Sequence, residues 1–265
     1  MTRFEQMGAA VARDRQEVTV QAVRFVPCGS IVFYASVPGN SATSTACATR
    51  RMENRRRLVT ILLEHLRAKE IPLWKCPHFS NKIALPIQLV HDTLGRPHLR
   101  LGEHRGPAIS FSTAGEEVWA ALCGDESDIG IDVAGNDEFR EGYPVHRVFR
   151  VQELHQALEL VGGDLAKAAS LLWSAKEAVV KALGCAFHLV EPRDIHVYPS
   201  AIEDDGPAFS ARLSGKALVR FPMADHRPIK VRSLPQAETW LSIAALNWPR
   251  HGVAGLNGCE AGRRD

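Results

Sequence analysis

The stretch of sequence that decides the fold reads WSAKEAVVKALG, from Trp173 to Gly184. It closes a segment that is predicted to be helical from about Leu165 onward. Asp164 stands where an N-cap begins a helix, and Gly184 stands where a C′ glycine ends one. At roughly 100° per residue, one side of this helix carries Leu165, Leu172, Val179 and Leu183, with Trp173 and Val180 on its flank. The pattern therefore predicts a long helix that is buried along one face.

Three charged residues fall on or beside that apolar face. Lys176 projects from within it, while Glu177 and Lys181 follow one border, a turn apart. Unpaired buried charge is expensive, so charges in these positions favour a functional site. The alternative is a surface pair between Glu177 and Lys181, which would contribute about a few tenths of a kcal/mol. The spacing alone leaves both interpretations open.

Length and composition exclude several classes of protein. With 265 residues, the chain is long enough for one large domain or for two halves. Its 32 basic and 30 acidic residues nearly balance, which argues against a dedicated nucleic-acid binder. We expect neither a membrane span nor a signal peptide, because the sequence has no run of 18 apolar residues and no apolar leader. Six scattered cysteines predict reduced thiols in a cytoplasmic protein.

Periodic patterns place helices among many short strands. Helices are predicted at residues 50–69, 145–160 and 165–183, and the intervening segments alternate between apolar and polar residues as strands do. This order predicts an α+β fold, with a helix set against an antiparallel sheet in each half. The predicted strands cover residues 17–26, 30–37, 82–89, 98–101, 108–112, 117–122, 128–133, 194–198, 207–213, 229–234 and 239–246.

The same plan of strands and helix occurs twice along the chain. We expect an N-terminal half at residues 16–127 and a C-terminal half, with the charged helix, at residues 128–246. Residues 1–15 and 247–265 are predicted to be flexible ends. No repeat at the level of sequence accompanies this division.

A strongly basic run opens the first predicted helix. It contains five arginines, namely Arg50, Arg51, Arg55, Arg56 and Arg57. Positive charge near a helix N-terminus opposes the macrodipole, so the run is unhelpful to the helix itself. It is either a solvated helix start or a patch that binds an anion, such as phosphate or an acidic partner.

Two motifs together resemble one known family. Gly130–Val133 reads GIDV, and residues 173–184 fit the pattern W-x-x-K-E-A-x-x-K-x-x-G. They resemble the 4′-phosphopantetheinyl transferases, in particular the longer, two-half type that is similar to the surfactin-synthetase activator. Gly95–Pro97 resembles that family's Gly-Lys-Pro turn, and residues 109–115 fall where the family carries Ser-His-Ser. The resemblance implies a monomer of two pseudo-symmetric halves, each a helix packed on a small antiparallel sheet.

The resemblance also implies a reaction. The family moves phosphopantetheine from coenzyme A to a serine of an acyl or peptidyl carrier protein, releases 3′,5′-ADP, and serves fatty acid, polyketide or peptide synthesis. Such phosphoryl transfer depends mainly on positioning and charge neutralisation. It implies Mg²⁺, with Mn²⁺ as an alternative, and coenzyme A as co-substrate. We expect no nucleic acid and no membrane among the partners.

The resemblance assigns roles to individual residues. Asp132 and Glu177 would hold the metal, and Glu177 would also be the base toward the attacking serine. Lys181 would neutralise the pyrophosphate and protonate or stabilise the leaving group. Asp132, Glu177 and Lys181 are thus the predicted catalytic residues. The residues predicted to contact coenzyme A are Lys176, Lys181, Arg96, Ser112 and Thr113.

Two positions depart from the family's pattern. Ala134 replaces a glutamate that would be a third metal carboxylate, so either water fills that position or Asp137 or Glu138 reaches in. Thr113 replaces a histidine and carries no charge, so the affinity for coenzyme A could fall by roughly an order of magnitude. These departures keep open a degenerate homologue that binds carrier protein or coenzyme A without catalysis. The basic run at 50–57 keeps open a basic-patch interaction protein.

Overall fold

The computed structural model describes residues 18–25, 30–39, 45–69, 87–123, 127–139, 143–226 and 229–247. The α-helices are α1 (Thr45–Ala68), α2 (Val145–Val148), α3 (Val151–Leu160), α4 (Leu165–Ala182) and α5 (Gly215–Arg220). Short 3₁₀ helices span Asn136–Phe139, Pro192–Asp194 and Pro222–Ala224. The strands are β1 (Gln21–Arg24), β2 (Ile31–Pro38), β3 (Ile87–His91), β4 (Pro97–Leu101), β5 (His104–Arg105), β6 (Ala108–Ala114), β7 (Glu117–Cys123), β8 (Ser127–Gly135), β9 (Ile195–Glu203), β10 (Gly206–Leu213), β11 (Ile229–Gln236) and β12 (Thr239–Asn247).

The strands form three antiparallel sheets. A four-stranded sheet has the order β1-β2-β7-β6, a five-stranded sheet has the order β8-β12-β11-β10-β9, and β3, β4 and β5 form a small third sheet. Helix α1 packs on the four-stranded sheet, and α4 packs on the five-stranded one. A long helix against each of the two larger antiparallel sheets confirms the predicted α+β class.

The two larger sheets also pack on each other. Ile129, Ile131 and Val133 of β8 are buried among apolar side chains of β1, β2 and β7. Full burial of each such side chain contributes roughly 1.5–3 kcal/mol to stability. Because side chains alternate along a strand, the intervening Asp132 is turned to the other face of β8, where α4 lies.

Helix α4 begins and ends as its sequence predicts. The side chain of Asp164 accepts a hydrogen bond from the backbone nitrogen of Lys167 at 3.0 Å. After the last turn, Gly184 has a φ of +74°, and the amide of Cys185 donates to the carbonyl of Val180 at 3.1 Å. The predicted N-cap and C′ glycine are therefore confirmed.

Helix α4 approaches β8 closely because Gly130 has no side chain. A Cβ atom at position 130 would overlap the carbonyl oxygen of Ala178 and would lie 2.6 Å from the amide nitrogen of Ala182. The glycine of the GIDV motif therefore sets the distance between the strand and the helix. Asp132 is thereby brought next to the last turns of α4.

The prediction of one helix at residues 145–160 is wrong. The segment predicted as a single helix at 145–160 forms two helices, α2 and α3, because Phe149 has an extended backbone with φ −109° and ψ 150°. The Phe149 ring is buried in the core, and Arg150 then begins α3, with its amide donating to Glu153 at 2.9 Å. Burial of the aromatic ring and a new helix start, where Glu153 accepts the Arg150 amide, thus interrupt the periodic pattern.

Some predictions fall outside the described residues. Within the predicted strand 17–26 the structure has β1, and residues 17 and 26 lie outside; residues 82–86 of the predicted strand 82–89 do so as well. The predicted flexible ends at 1–15 and beyond residue 247 are also outside, whereas residue 247 ends β12. Among the described helices, none combines the length and apolar character that a membrane crossing requires.

Candidate active site

A largely buried ion pair joins β8 to α4. The Nζ atom of Lys181 lies 2.6 Å from Oδ1 of Asp132, whose side chain is 10% exposed. Lys181 also donates to the carbonyl of Ile131 at 3.1 Å and lies 3.4 Å from Oγ of Ser112. Burial raises the pKa of Asp132 above its ordinary value, although the Lys181 ammonium acts to lower it. The structure thus brings two of the predicted catalytic side chains into direct contact.

Glu177 lies one turn before Lys181 on the same helix. Among the described residues, no hydrogen bond or ion pair holds its carboxylate. Burial raises the pKa of Glu177 to about 7, with the charges of Asp132 and Glu138 adding to the effect and Lys181 opposing it. The two predicted metal carboxylates, Asp132 and Glu177, are therefore close enough for their charges to interact.

Lys176 does not join this cluster. Its side chain has no exposed surface, and its Nζ atom donates to Glu153 Oε1 at 3.1 Å. The same ammonium donates to the carbonyls of Pro192 and Ile195 at 2.9 and 2.5 Å. Burial lowers the pKa of Lys176, whereas Glu153 raises it. With its three donors engaged, Lys176 ties α4 to α3 and β9 and is not available to a pyrophosphate, contrary to the prediction.

Ser112 contacts both members of the Asp132–Lys181 ion pair. Its hydroxyl donates to Oδ1 of Asp132 at 2.9 Å and accepts from the amide of Val133 at 3.2 Å, so it orients the carboxylate. Thr113, the next residue of β6, is exposed, because neighbouring side chains of a strand point to opposite faces. Neither side chain lines the pocket beside Lys181, although both were predicted to contact the nucleotide.

This pocket has a volume of about 210 Å³. Three cationic side chains line it, each from a different part of the fold: Arg55 from α1, Arg96 from the β3–β4 turn and Lys181 from α4. Arg96 is thus found at a pocket wall next to Lys181, as its predicted contact with coenzyme A requires. Several cations around one pocket favour a ligand with more than one phosphate group.

Arg55 is a pocket residue that the family motifs do not identify. Its guanidinium carbon lies 5.2 Å from the centre of the Phe111 ring, and burial, together with the charge of Arg51, lowers its pKa. A signal for it exists in the sequence, because Arg55 precedes Leu58 by three residues and Leu62 by seven and so shares their buried helix face. Within the basic run, this arginine supports the anion-binding interpretation.

The acidic side chains around Asp132 meet some, but not all, of the requirements for binding a divalent cation. No group of three or more His, Cys, Asp or Glu side chains arranged to hold a metal occurs among the described residues. Ala134 is buried and offers no ligand, and Glu138 accepts a hydrogen bond from the amide of Gly135 at 3.0 Å. Glu177, however, has no partner among the described residues and is repelled by the charges of Asp132 and Glu138, and a cation would relieve this repulsion. Two carboxylates with several retained waters suit Mg²⁺.

Three solved structures are similar to part of the chain. The apo-ACPS of Chronobacterium ammoniagenes and its complex with CoA are each 19% identical over 47% of this chain and 98% of theirs, with TM-scores of 0.38 and 0.39. The holo-[acyl-carrier-protein] synthase of Neisseria meningitidis is 20% identical over 44% of this chain and 95% of its own, with a TM-score of 0.33. No curated protein sequence matches the chain. All three TM-scores are below 0.5, so these likenesses do not assign the chain to a family.

The family model matches the part of the chain that carries both motifs. Residues 128–224 match the ACPS model, described as the 4′-phosphopantetheinyl transferase superfamily. The matched segment runs from β8 to the 3₁₀ helix that ends at Ala224, and so contains Asp132, Glu177 and Lys181. The more specific likeness to the surfactin-synthetase activator stays a prediction. At the level of the superfamily the resemblance is confirmed, because residues 128–224 match the model of the 4′-phosphopantetheinyl transferase superfamily.

Proposed function

We propose that the protein transfers the 4′-phosphopantetheine group of coenzyme A to a serine of an acyl or peptidyl carrier protein and releases 3′,5′-ADP. One observation carries this proposal. The Asp132–Lys181 pair lies one helical turn from the unpaired Glu177, beside a pocket lined by cations. An acid, a base and a phosphate-binding wall are the groups that this transfer needs.

The cations of the pocket would hold the nucleotide end of coenzyme A. Lys181 lies at the junction between this pocket and Asp132, so it would meet the pyrophosphate. Arg96 and Arg55 line the same pocket and would bind the remaining phosphate charge. A pocket of about 210 Å³ takes part of coenzyme A, and the rest of the molecule would extend outside it.

Glu177 would act as the general base. With a pKa of about 7 and no partner among the described residues, its carboxylate can accept a proton near neutral pH. It would take the hydroxyl proton of the carrier serine, directly or through a water, while the serine oxygen attacks the phosphorus of the phosphopantetheine. The bond from phosphorus to serine forms as the bond from phosphorus to 3′,5′-ADP breaks.

Lys181 would stabilise the leaving group. Its ammonium is fixed by Asp132 and by the carbonyl of Ile131, so it does not have to be ordered as negative charge develops on the departing 3′,5′-ADP. It can donate its proton to that oxygen. Asp132, oriented by Ser112, keeps the ammonium in place.

Asp132 and Glu177 would hold Mg²⁺, or Mn²⁺ as an alternative, with water in the position that Ala134 leaves without a carboxylate. When bound, the cation supplies charge neutralisation at the pyrophosphate oxygens. We also propose a cytoplasmic monomer, in keeping with the reduced thiol of Cys185.

The test is mass spectrometry of an apo carrier protein after incubation with this protein, coenzyme A and Mg²⁺. We expect the carrier to gain the mass of phosphopantetheine, and the gain to disappear with chelator or when the carrier serine is replaced by alanine. Carriers from fatty acid, polyketide and peptide synthesis should be compared. No gain with any of them would contradict the proposal.

A second candidate is a degenerate homologue that binds coenzyme A or carrier protein without transfer. The buried Ala134 and the exposed Thr113 favour it, because each removes a charged group that the family pattern supplies. Coenzyme A binding in calorimetry, combined with no mass gain on any carrier, would favour this candidate over the enzyme.

A further inference from the structure

Arg96 is fixed at the pocket wall by residues from two other elements. It lies in the β3–β4 turn of the small sheet, and its guanidinium reaches across to β8 and to the end of α4. Its Nη2 atom lies 2.6 Å from Oδ1 of Asp128 and 3.4 Å from the carbonyl oxygen of Ala182. The side chains of Arg96 and Asp128 are only 16% and 18% exposed, so solvent screens their pairing weakly.

Gly184 supports the other side of the guanidinium. A Cβ atom at position 184 would lie 2.8 Å from Nη1 and 2.9 Å from Cδ of Arg96. The guanidinium therefore rests against bare backbone at the end of α4. Gly184 is required both for its φ of +74° and for the space that Arg96 occupies.

These contacts leave part of the guanidinium for a ligand. An arginine side chain has five N–H donors, and Asp128 and Ala182 both engage Nη2. The Nη1 and Nε groups make no other hydrogen bond within the described residues, and Arg96 lines the pocket that contains Lys181. A planar fork held in one orientation can bind a phosphate through two parallel hydrogen bonds.

Asp128 also binds a second arginine. Nη2 of Arg105 lies 3.4 Å from the same Oδ1 atom that binds Arg96. One carboxylate thus serves two guanidinium groups, and the three side chains together retain a net positive charge. Asp128 can therefore orient Arg96 without cancelling the positive potential that attracts a phosphate.

We propose that Asp128 is a positioning residue that holds Arg96 ready for a phosphate group of coenzyme A. The inference rests on the proposed function, since it names how that pocket binds its substrate. The expected effect of removing Asp128 is opposite to the one that net charge alone predicts. Loss of Asp128 removes a negative charge from an anion site, yet binding should weaken, because Arg96 would then have to be ordered when the ligand binds.

The test is calorimetric titration of the full chain with coenzyme A, followed by steady-state kinetics. Asp128→Ala should weaken binding roughly tenfold and raise KM for coenzyme A, with kcat changed less than about twofold. Asp128→Asn keeps an acceptor oxygen, so it should lie between Asp128→Ala and the wild type. If Asp128→Ala does not fold, Asp128→Asn carries the test. The matched control is the exposed Asp225→Ala, which should bind like the wild type.

A double-mutant cycle separates positioning from a general electrostatic effect. If Asp128 acts through Arg96, Asp128→Ala should add nothing to the loss already caused by Arg96→Ala. Additive losses, or binding of Asp128→Ala as tight as the wild type or tighter, would overturn the inference. Wild-type protein that binds no coenzyme A would instead overturn the proposed function itself, so the two failures are distinguishable.

Discussion

Glu153 and Lys176 form a buried ion pair between α3 and α4, with Nζ 3.1 Å from Oε1 and 3.0 Å from Oε2. Glu153 also accepts hydrogen bonds from the amides of Arg150 and Val197, so the pair joins a helix start, a second helix and a strand. Removing one partner of a buried pair typically costs about 3–5 kcal/mol, because the other charge is left without compensation. We expect Lys176→Met to lower the free energy of unfolding by about this amount, measured by urea denaturation.

The control for this change is Lys167→Met on the exposed side of the same helix, where the one ion pair of Lys167 within the described residues is with Asp164 at 3.7 Å. An exposed pair of this kind contributes about 0–1 kcal/mol. The double variant Lys176→Met with Glu153→Leu should recover part of the stability, since it leaves no buried charge. A Lys176→Met protein as stable as the wild type would contradict the structural role of this pair.

Asp132→Asn and Glu177→Gln test the catalytic assignment. Each variant keeps the shape of the side chain and removes its charge, so the fold should persist. Loss of a general base or of a charged group that stabilises the transition state reduces rates by roughly 10²–10⁴-fold. We expect a decrease of that size in carrier-protein modification, with circular dichroism unchanged.

The matched control is Glu191→Gln. Glu191 is exposed and lies in the same half of the chain, and in the part of the chain that the structure describes its ion-pair partner is the exposed Lys216. The substitution should leave the rate within about twofold. Near-normal turnover in either Asp132→Asn or Glu177→Gln would reject the assignment of these two carboxylates to the active site.

The sequence predicts the parts of this site that depend on local pattern. Asp164 and Gly184 mark the ends of α4 because capping is a local interaction, and the GIDV motif identifies Asp132. Periodicity also places Lys176 on a buried face of the helix. It does not reveal what lies opposite that face, and the partner Glu153 comes from a separate helix 23 residues earlier.

The same limit explains the other differences between prediction and structure. Ser112 and Thr113 are adjacent in sequence, but only the pairing of β6 within its sheet decides which of them faces Asp132. Arg55 reaches the pocket because α1 packs on the four-stranded sheet, which brings its guanidinium next to Phe111 of β6. No motif near Arg55 encodes this long-range contact. Non-local packing, rather than propensity, decides these positions.

The raised pKa of Glu177 predicts how stability depends on pH. The pKa rises from 4.5 to about 7 on folding, so the folded state binds more protons than the unfolded state between these values. The stability that this group contributes is therefore fully present below pH 4.5 and is lost as the pH rises through about 7. In chelator, Glu177→Gln should gain stability relative to the wild type as the pH is raised across this window, measured by urea denaturation.

Asp132, whose pKa burial also raises, should leave a residual decrease in the Glu177→Gln variant. Adding Mg²⁺ should stabilise the wild type more than Glu177→Gln at the upper end of the window, because a cation bound to the folded protein favours the ionised carboxylate. A stability difference between variant and wild type that is constant with pH would refute the prediction.

Gly130→Ala should disturb both stability and metal binding. The added Cβ would overlap the backbone of α4 at Ala178 and lie 2.6 Å from the amide nitrogen of Ala182. Overpacking of this kind costs about 1–3 kcal/mol, and it would push α4, with Glu177 and Lys181, away from β8. We expect a lower unfolding midpoint and weaker Mn²⁺ binding by electron paramagnetic resonance.

Because the overlap is with backbone atoms, shortening the facing side chain should not relieve it. Ala182→Gly introduced beside Gly130→Ala is therefore expected to give no recovery of either measurement. Recovery in this double variant, or wild-type behaviour of Gly130→Ala alone, would show that the strand and helix have more room than the structure gives them.

Ala134→Glu should restore a third carboxylate to the site. Ala134 lies two residues after Asp132 on β8, so it shares the face that is turned toward α4, and it is 1% exposed. The added carboxylate should keep or raise the affinity for Mn²⁺, by up to about tenfold, because it replaces a water with a charged ligand. In chelator, the same variant should be less stable than the wild type, since a buried carboxylate lacks a partner. Ala134→Gln supplies the same bulk without the charge and should not raise the affinity. A large loss of Mn²⁺ binding in Ala134→Glu would show that position 134 is not an open ligand position beside Asp132.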